Sequence, residues 1–130
     1  MAISIVQINP AKDSKSLNTE WFVVENVGDT PFSTKNCALG TGHGNQRPKA
    51  LGTLDPGFVV NPGEKYRIIT GKPGKKAHGV PPEDKIPNYH LFLGAPVLKG
   101  AGIVLSLTLR TMEIARATYD PAAKTGIAKE

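Results

Sequence analysis

The chain has 130 residues, enough for one domain around one core, and its 14 glycines and 11 prolines exclude an architecture of long helices. Lysine and arginine total 16 against 11 acidic residues, and the resulting net charge of +5 permits contact with polyanions without demanding it. A single cysteine excludes an internal disulfide, and no apolar run approaches the ~20 residues of a membrane-spanning helix.

The opening MAISIVQINPAKD lacks a basic segment and a long apolar run. No signal peptide is expected, and with one cysteine the chain is assigned to the cytoplasm. Residues 2–9 read as a first strand. Ile3 and Ile5 alternate, and Val6 and Ile8 then alternate in the opposite phase, which predicts a bulge or a strand that changes sheet. Residues 10–18 are polar and read as a loop.

Residues 20–39, EWFVVENVGDTPFSTKNCAL, read as two strands joined by a turn. In the first, Phe22, Val24 and Asn26 share a face chosen for the core. Trp21, Val23 and Glu25 share the other, which is expected to be half-covered. In the second, Cys37 and Leu39 share a face. GTGHGNQRP (40–48) is a glycine-rich loop. Short strands are expected at 49–54, 58–60 and 66–70, separated by the turns Asp55-Pro56-Gly57 and Asn61-Pro62-Gly63-Glu64.

Residues 71–89 form the longest irregular segment, with Lys72, Lys75, Lys76 and His78 among four prolines. A short apolar run follows at 90–93, then glycine-flanked turns to residue 102. Residues 103–109 alternate cleanly, with Ile103, Leu105, Leu107 and Leu109 on one face. They pair through a turn at 110–112 with 113–119 as a closing hairpin. The expected fold is all-β, an antiparallel sandwich of about seven to nine short strands over residues 2–119. Residues 120–130 are expected to be a flexible tail.

The order of these pieces resembles the lamin tail domain, an immunoglobulin-like β-sandwich, in its bacterial form. Three blocks carry the likeness. Residues 20–39 are similar to the pattern E-aromatic-V-x-I-x-N … G-D-T-P-V-x-L-x-G-W-x-L. Residues 54–71 place a Pro-Gly-Glu turn between two strands, and residues 102–119 resemble the closing hairpin. Asn36-Cys37 stands where the family usually has Gly-Trp, Ile103 where it often has Asp, and Thr111-Met112 where it has an Asp-Gly type of turn. Phe22, Phe92 or Trp21 would fill the volume of the missing tryptophan. The resemblance implies a non-enzymatic interaction or scaffold module that binds protein partners and, in some members, DNA.

The residues themselves suggest no catalytic apparatus. Cys37, His43, His78 and His90 lack metal-ligand spacing, and Cys37 is read as a buried structural thiol. GKPGKK at 71–76 lacks the spacing of a phosphate-binding loop. No metal and no cofactor is expected. Two routes to a partner stand out. Lys72, Lys75 and Lys76, extended by Lys65 and Arg67, could meet phosphates by charge alone, giving weak, sequence-independent, salt-sensitive nucleic-acid contact. Alternatively the uncharged first strand, at Ile3, Ile5 and Ile8, could pair edge-on with a protein partner or a second copy.

Overall fold

The structure is a computed structural model that describes residues 3–10, 19–43, 49–54, 57–70, 85–91, 98, 102–110 and 112–128. Among these residues there are ten strands and no α-helix: β1 (Ile3–Asn9), β2 (Trp21–Asn26), β3 (Phe32–Ser33), β4 (Ala38–His43), β5 (Lys49–Thr53), β6 (Val59–Val60), β7 (Lys65–Ile69), β8 (Asn88–His90), β9 (Ile103–Leu109) and β10 (Met112–Thr118). They form one four-stranded sheet in the order β1-β2-β7-β8, a second in the order β10-β9-β4-β5, and a two-stranded ribbon of β3 and β6. The all-β sandwich follows. Its count exceeds the expected range because the one strand expected to end at Leu39 divides into β3, which pairs with β6, and β4, which runs on to His43 through the start of the expected glycine-rich loop, and because β8 forms at the end of the expected irregular segment.

One pairing departs from the antiparallel expectation. β8 runs parallel to β7, with Arg67, Ile68 and Ile69 opposite Asn88, Tyr89 and His90. A hairpin cannot make a parallel pair, which needs a connection of about a dozen or more residues. The glycine- and proline-rich sequence between β7 and β8 has that length.

The inner faces of the sheets build the main core. Ile3, Ile5, Ile8, Phe22, Val24 and Ile68 come from the first sheet, and Leu39, Leu105, Leu107, Ala115 and Ala117 from the second. The phase change read in β1 is a bulge. Register shifts between Ile5 and Gln7, so Ile5 and Ile8, three apart, both reach the core while Val6 packs on the opposite side. β10 has the same device between Glu113 and Ala115. Trp21, Val23 and Ile69 form a second buried cluster on the outer face of the first sheet. The expectation of a half-covered face is therefore corrected: Trp21 keeps only 7% of its surface, and Val23 only 1%.

The tail also departs from expectation. Residues 120–128 fold back onto the sandwich. Ile8 donates its backbone N–H to Thr125 (2.9 Å), Ala128 donates to Thr118 (2.9 Å), and Tyr119 bridges Ile127, which packs on the core. Gly126 makes this approach feasible. It sits at φ 80°, and a Cβ there would collide with the carbonyl oxygen of Ile8. Composition suggested a solvated tail because alanine and lysine carry no strand signal; three backbone contacts decide otherwise.

Asn26 ties the frame together. Its side chain donates to the carbonyls of Thr30 (2.9 Å) and Val60 (2.7 Å) and accepts from Gly28 N–H (2.9 Å). Its backbone pairs with Glu64 and Gly63. With only 1% of its surface exposed, the amide satisfies groups that water cannot reach. Asn26→Ala is expected to cost about 2–4 kcal/mol, because it orphans buried backbone groups. Asn26→Asp should cost more, since it sets a carboxylate against two carbonyl oxygens. Urea unfolding would check this: the midpoint should fall for both at unchanged slope, and a midpoint within error of wild type would refute the assignment.

Candidate interaction edge

The edge of β1 can be derived from the pairing of β2. Asn26 bonds Glu64 and Gly63, and Glu20 bonds Thr70, so the even-numbered residues of β2 turn their backbone toward β7. The odd-numbered residues, Trp21, Val23 and Glu25, therefore address β1, opposite Asn9, Gln7 and Ser4. That leaves the backbone groups of Ile3, Ile5 and Ile8 turned outward, away from the sheet. As whole residues they are 3%, 6% and 3% exposed, so the three residues named from sequence are buried, backbone included. Ile8 is already engaged by Thr125.

The edge of β1 lies beside the edge of β10, the two sheets closing toward each other along this side. Between them is a groove of about 380 Å³, within the ~300–1,000 Å³ of typical ligand clefts. Apolar Ile5, Ala117 and Ile127 and polar Ser4, Arg116 and Thr118 line it. Arg116 pairs with Glu113 at 3.1 Å, both side chains about 40% exposed. Sequence reasoning named β1 but missed β10, Arg116 and the tail. The uncharged alternation of β1 was a signal; nothing local says which strand ends beside it.

The basic patch is divided. Lys72, Lys75 and Lys76 lie outside the described residues. Lys65 is exposed at the start of β7, opposite Glu25. Arg67 is buried, with 2% of its surface left. Its guanidinium carbon sits 4.8 Å from the centre of the Trp21 ring, and its Nη1 donates to Asn88 (2.9 Å). The expectation that Arg67 extends a surface patch is therefore corrected. β-Alternation puts residue 67 on the outer face of the sheet, where Trp21 and Asn88 enclose it.

Glu20 is the second buried charge, with no exposed surface. It accepts from the Thr70 hydroxyl (2.5 Å) and from Leu98 N–H (3.1 Å), a structural latch between β2, the end of β7 and residue 98. No group of three or more metal-ligating side chains occurs among the described residues. No helix there is long and apolar enough to cross a membrane, which leaves β-barrels unaddressed.

Cys37 is fully buried in the main core, and burial pushes its thiol above the ordinary value. The folded state thus keeps a proton that the unfolded chain releases near pH 9, and this residue subtracts stability as pH rises past that value. Ellman's reagent at pH 8 should leave the native thiol unmodified and react fully in about 8 M urea; prompt native reaction would contradict a core position. Arg67→Ala is expected to cost about 1–3 kcal/mol by losing its contact with Trp21 and its bond to Asn88, read as a lower urea midpoint. A surface arginine would show no such drop.

No protein-family model matches the chain, and no curated protein matches it.

Proposed function

We propose that the chain is a non-catalytic protein-interaction or scaffold module with a lamin-tail-like immunoglobulin sandwich. One observation carries the reading: β1 has an uncharged sequence and outward-turned backbone at Ile3 and Ile5, beside an open groove. An edge of this kind recognises extended protein backbone by hydrogen bonding.

Two further features are compatible with the lamin-tail likeness. Asn36 adopts φ 69°, the left-handed conformation that a glycine would supply at that place in the family pattern. Arg110 adopts φ 52° in the hairpin turn where the family has an Asp-Gly type of turn. Cys37, in the family's tryptophan position, shares its core with Phe22, whereas Trp21 packs in the other cluster and Phe92 lies outside the described residues.

The competing reading is a basic adaptor that meets nucleic acid through Lys72, Lys75 and Lys76. It loses Arg67, which is enclosed, and keeps Lys65 as its described cation. Fluorescence anisotropy of labelled duplex DNA at about 50 and 200 mM salt separates the two. The expected outcome is no binding at either salt. Binding that collapses at the higher salt and vanishes in the Lys72→Ala, Lys75→Ala, Lys76→Ala triple variant would replace the module reading with the adaptor.

A further inference from the structure

β1 and β10 lie side by side as edge strands of different sheets, and no ladder joins them to each other. The turn that follows β10 bridges them. Ile8 in β1 donates its backbone N–H to the carbonyl of Thr125 (2.9 Å), and Ala128 donates to Thr118 in β10 (2.9 Å). Asp120 donates to Gly126 (2.9 Å), so the Tyr119–Ile127 bridge has a bond on either side. Inside the turn, Ala123 donates to Asp120 and Gly126 to Ala123, each at 3.1 Å, and the Asp120 carboxylate accepts from Ala122 N–H (2.9 Å). The turn is thus shaped by its own bonds. Among the described residues, one backbone bond fastens it to β1.

Two residues set how the turn attaches. Gly126 is buried, and its φ of 80° is one that residues with a side chain rarely adopt. A Cβ there would also collide with the carbonyl of Ile8, a backbone group that cannot swing aside. The turn can therefore sit against β1 only with glycine at this position. Ile127 is partly buried and packs on the main core. Pro121, Ala122, Lys124 and Thr125 are exposed. β9 is the opposite case, paired on both sides and buried from Ile103 to Leu107. A segment with one partly buried apolar anchor and few bonds to the rest of the chain lies at the low end of local stability, whereas core strands open only with the whole domain.

We infer that residues 120–128 form a clasp across the seam between the two sheets, and that the clasp opens and closes as one unit while the sandwich stays folded. Closed, it engages the Ile8 amide and seats Ile127 on the core. Open, it gives up the bonds of Ile8, Asp120 and Ala128 together, because all three depend on where Gly126 and its neighbours sit. Ile127 and Ala128 also line the groove between β1 and β10, so the groove changes shape with the state of the clasp. The device couples the first strand to the residues that follow the last one, whether or not the chain acts as an interaction module.

Native-state hydrogen exchange of the full chain, followed amide by amide by NMR over a series of low urea concentrations, tests this. The Ile8, Asp120 and Ala128 amides should be protected, yet exchange about tenfold or more faster than those of Leu105 and Leu107 in β9. The three should share one opening free energy and respond weakly to urea, since the opening exposes little surface. Gly126→Ala should abolish the protection of these three amides. Leu105 and Leu107 should stay protected in that variant, losing no more than the factor by which the clasp amides were slowed in the wild type. Ile127→Ala should speed exchange of the same three amides by a smaller factor. Clasp amides that exchange at the rate and urea dependence of the β9 amides would overturn the inference, by placing the turn in the global unit. Unprotected wild-type amides, or three unequal openings, would overturn it as well. So would a Gly126→Ala protein that keeps full protection at Ile8 and Ala128, or one that loses the protection of β9 or fails to fold.

Discussion

The fold depends on the buried amide of Asn26. β2 is the strand that the first sheet is built around, and it ends where three things must be held at once: the turn 26–30, strand β6 and the turn entering β7. An amide carries both donors and an acceptor, and here it uses its NH₂ on two carbonyls and its oxygen on an N–H. No apolar side chain could hold the turn 26–30 and β6, whereas the turn entering β7 is held by the backbone of residue 26, and an unsatisfied backbone group at this depth costs more than a typical hydrogen bond contributes. Thr34 plays a smaller part of the same kind, exchanging bonds between its hydroxyl and Phe58 where the β3–β6 ribbon leaves for the core.

From that anchor β2 presents two faces to two environments. Phe22 and Val24 enter the space between the sheets, and Trp21 and Val23 enter a second apolar cluster outside. Burial on both faces explains why β2 reads as a continuous apolar run. It also explains the placement of Arg67 and Glu20. A cation laid on an indole, and a carboxylate accepting from a hydroxyl and an amide, are ways of keeping charge inside a small domain. Both residues look like surface charges in sequence, and both belong to the architecture.

The remaining side of the sandwich is where function is best sought. Sandwiches have open edges, and proteins usually protect them with charge, bulges or a covering segment. β1 uses a bulge at Val6 and the segment 125–128, and both protect its later half. The earlier half carries no charge of its own. Beside it β10 contributes Arg116, and the two sheets together line one groove.

The sequence by itself determined the class of fold and most strand positions. Alternation at 103–109, the phase change in β1 and the Asn-Pro-Gly-Glu turn are local patterns, and strand geometry follows from local pattern with period two. It also placed Cys37 in the core and named Ile3, Ile5 and Ile8 as an edge. Tertiary structure alone decided the parallel pairing of β8, the enclosure of Arg67, the docking of residues 120–128 and the meeting of β1 with β10. Each of these depends on contact between segments far apart in the chain. No local periodicity encodes which distant strand, ring or carbonyl a residue will meet; packing and the satisfaction of buried backbone groups decide it.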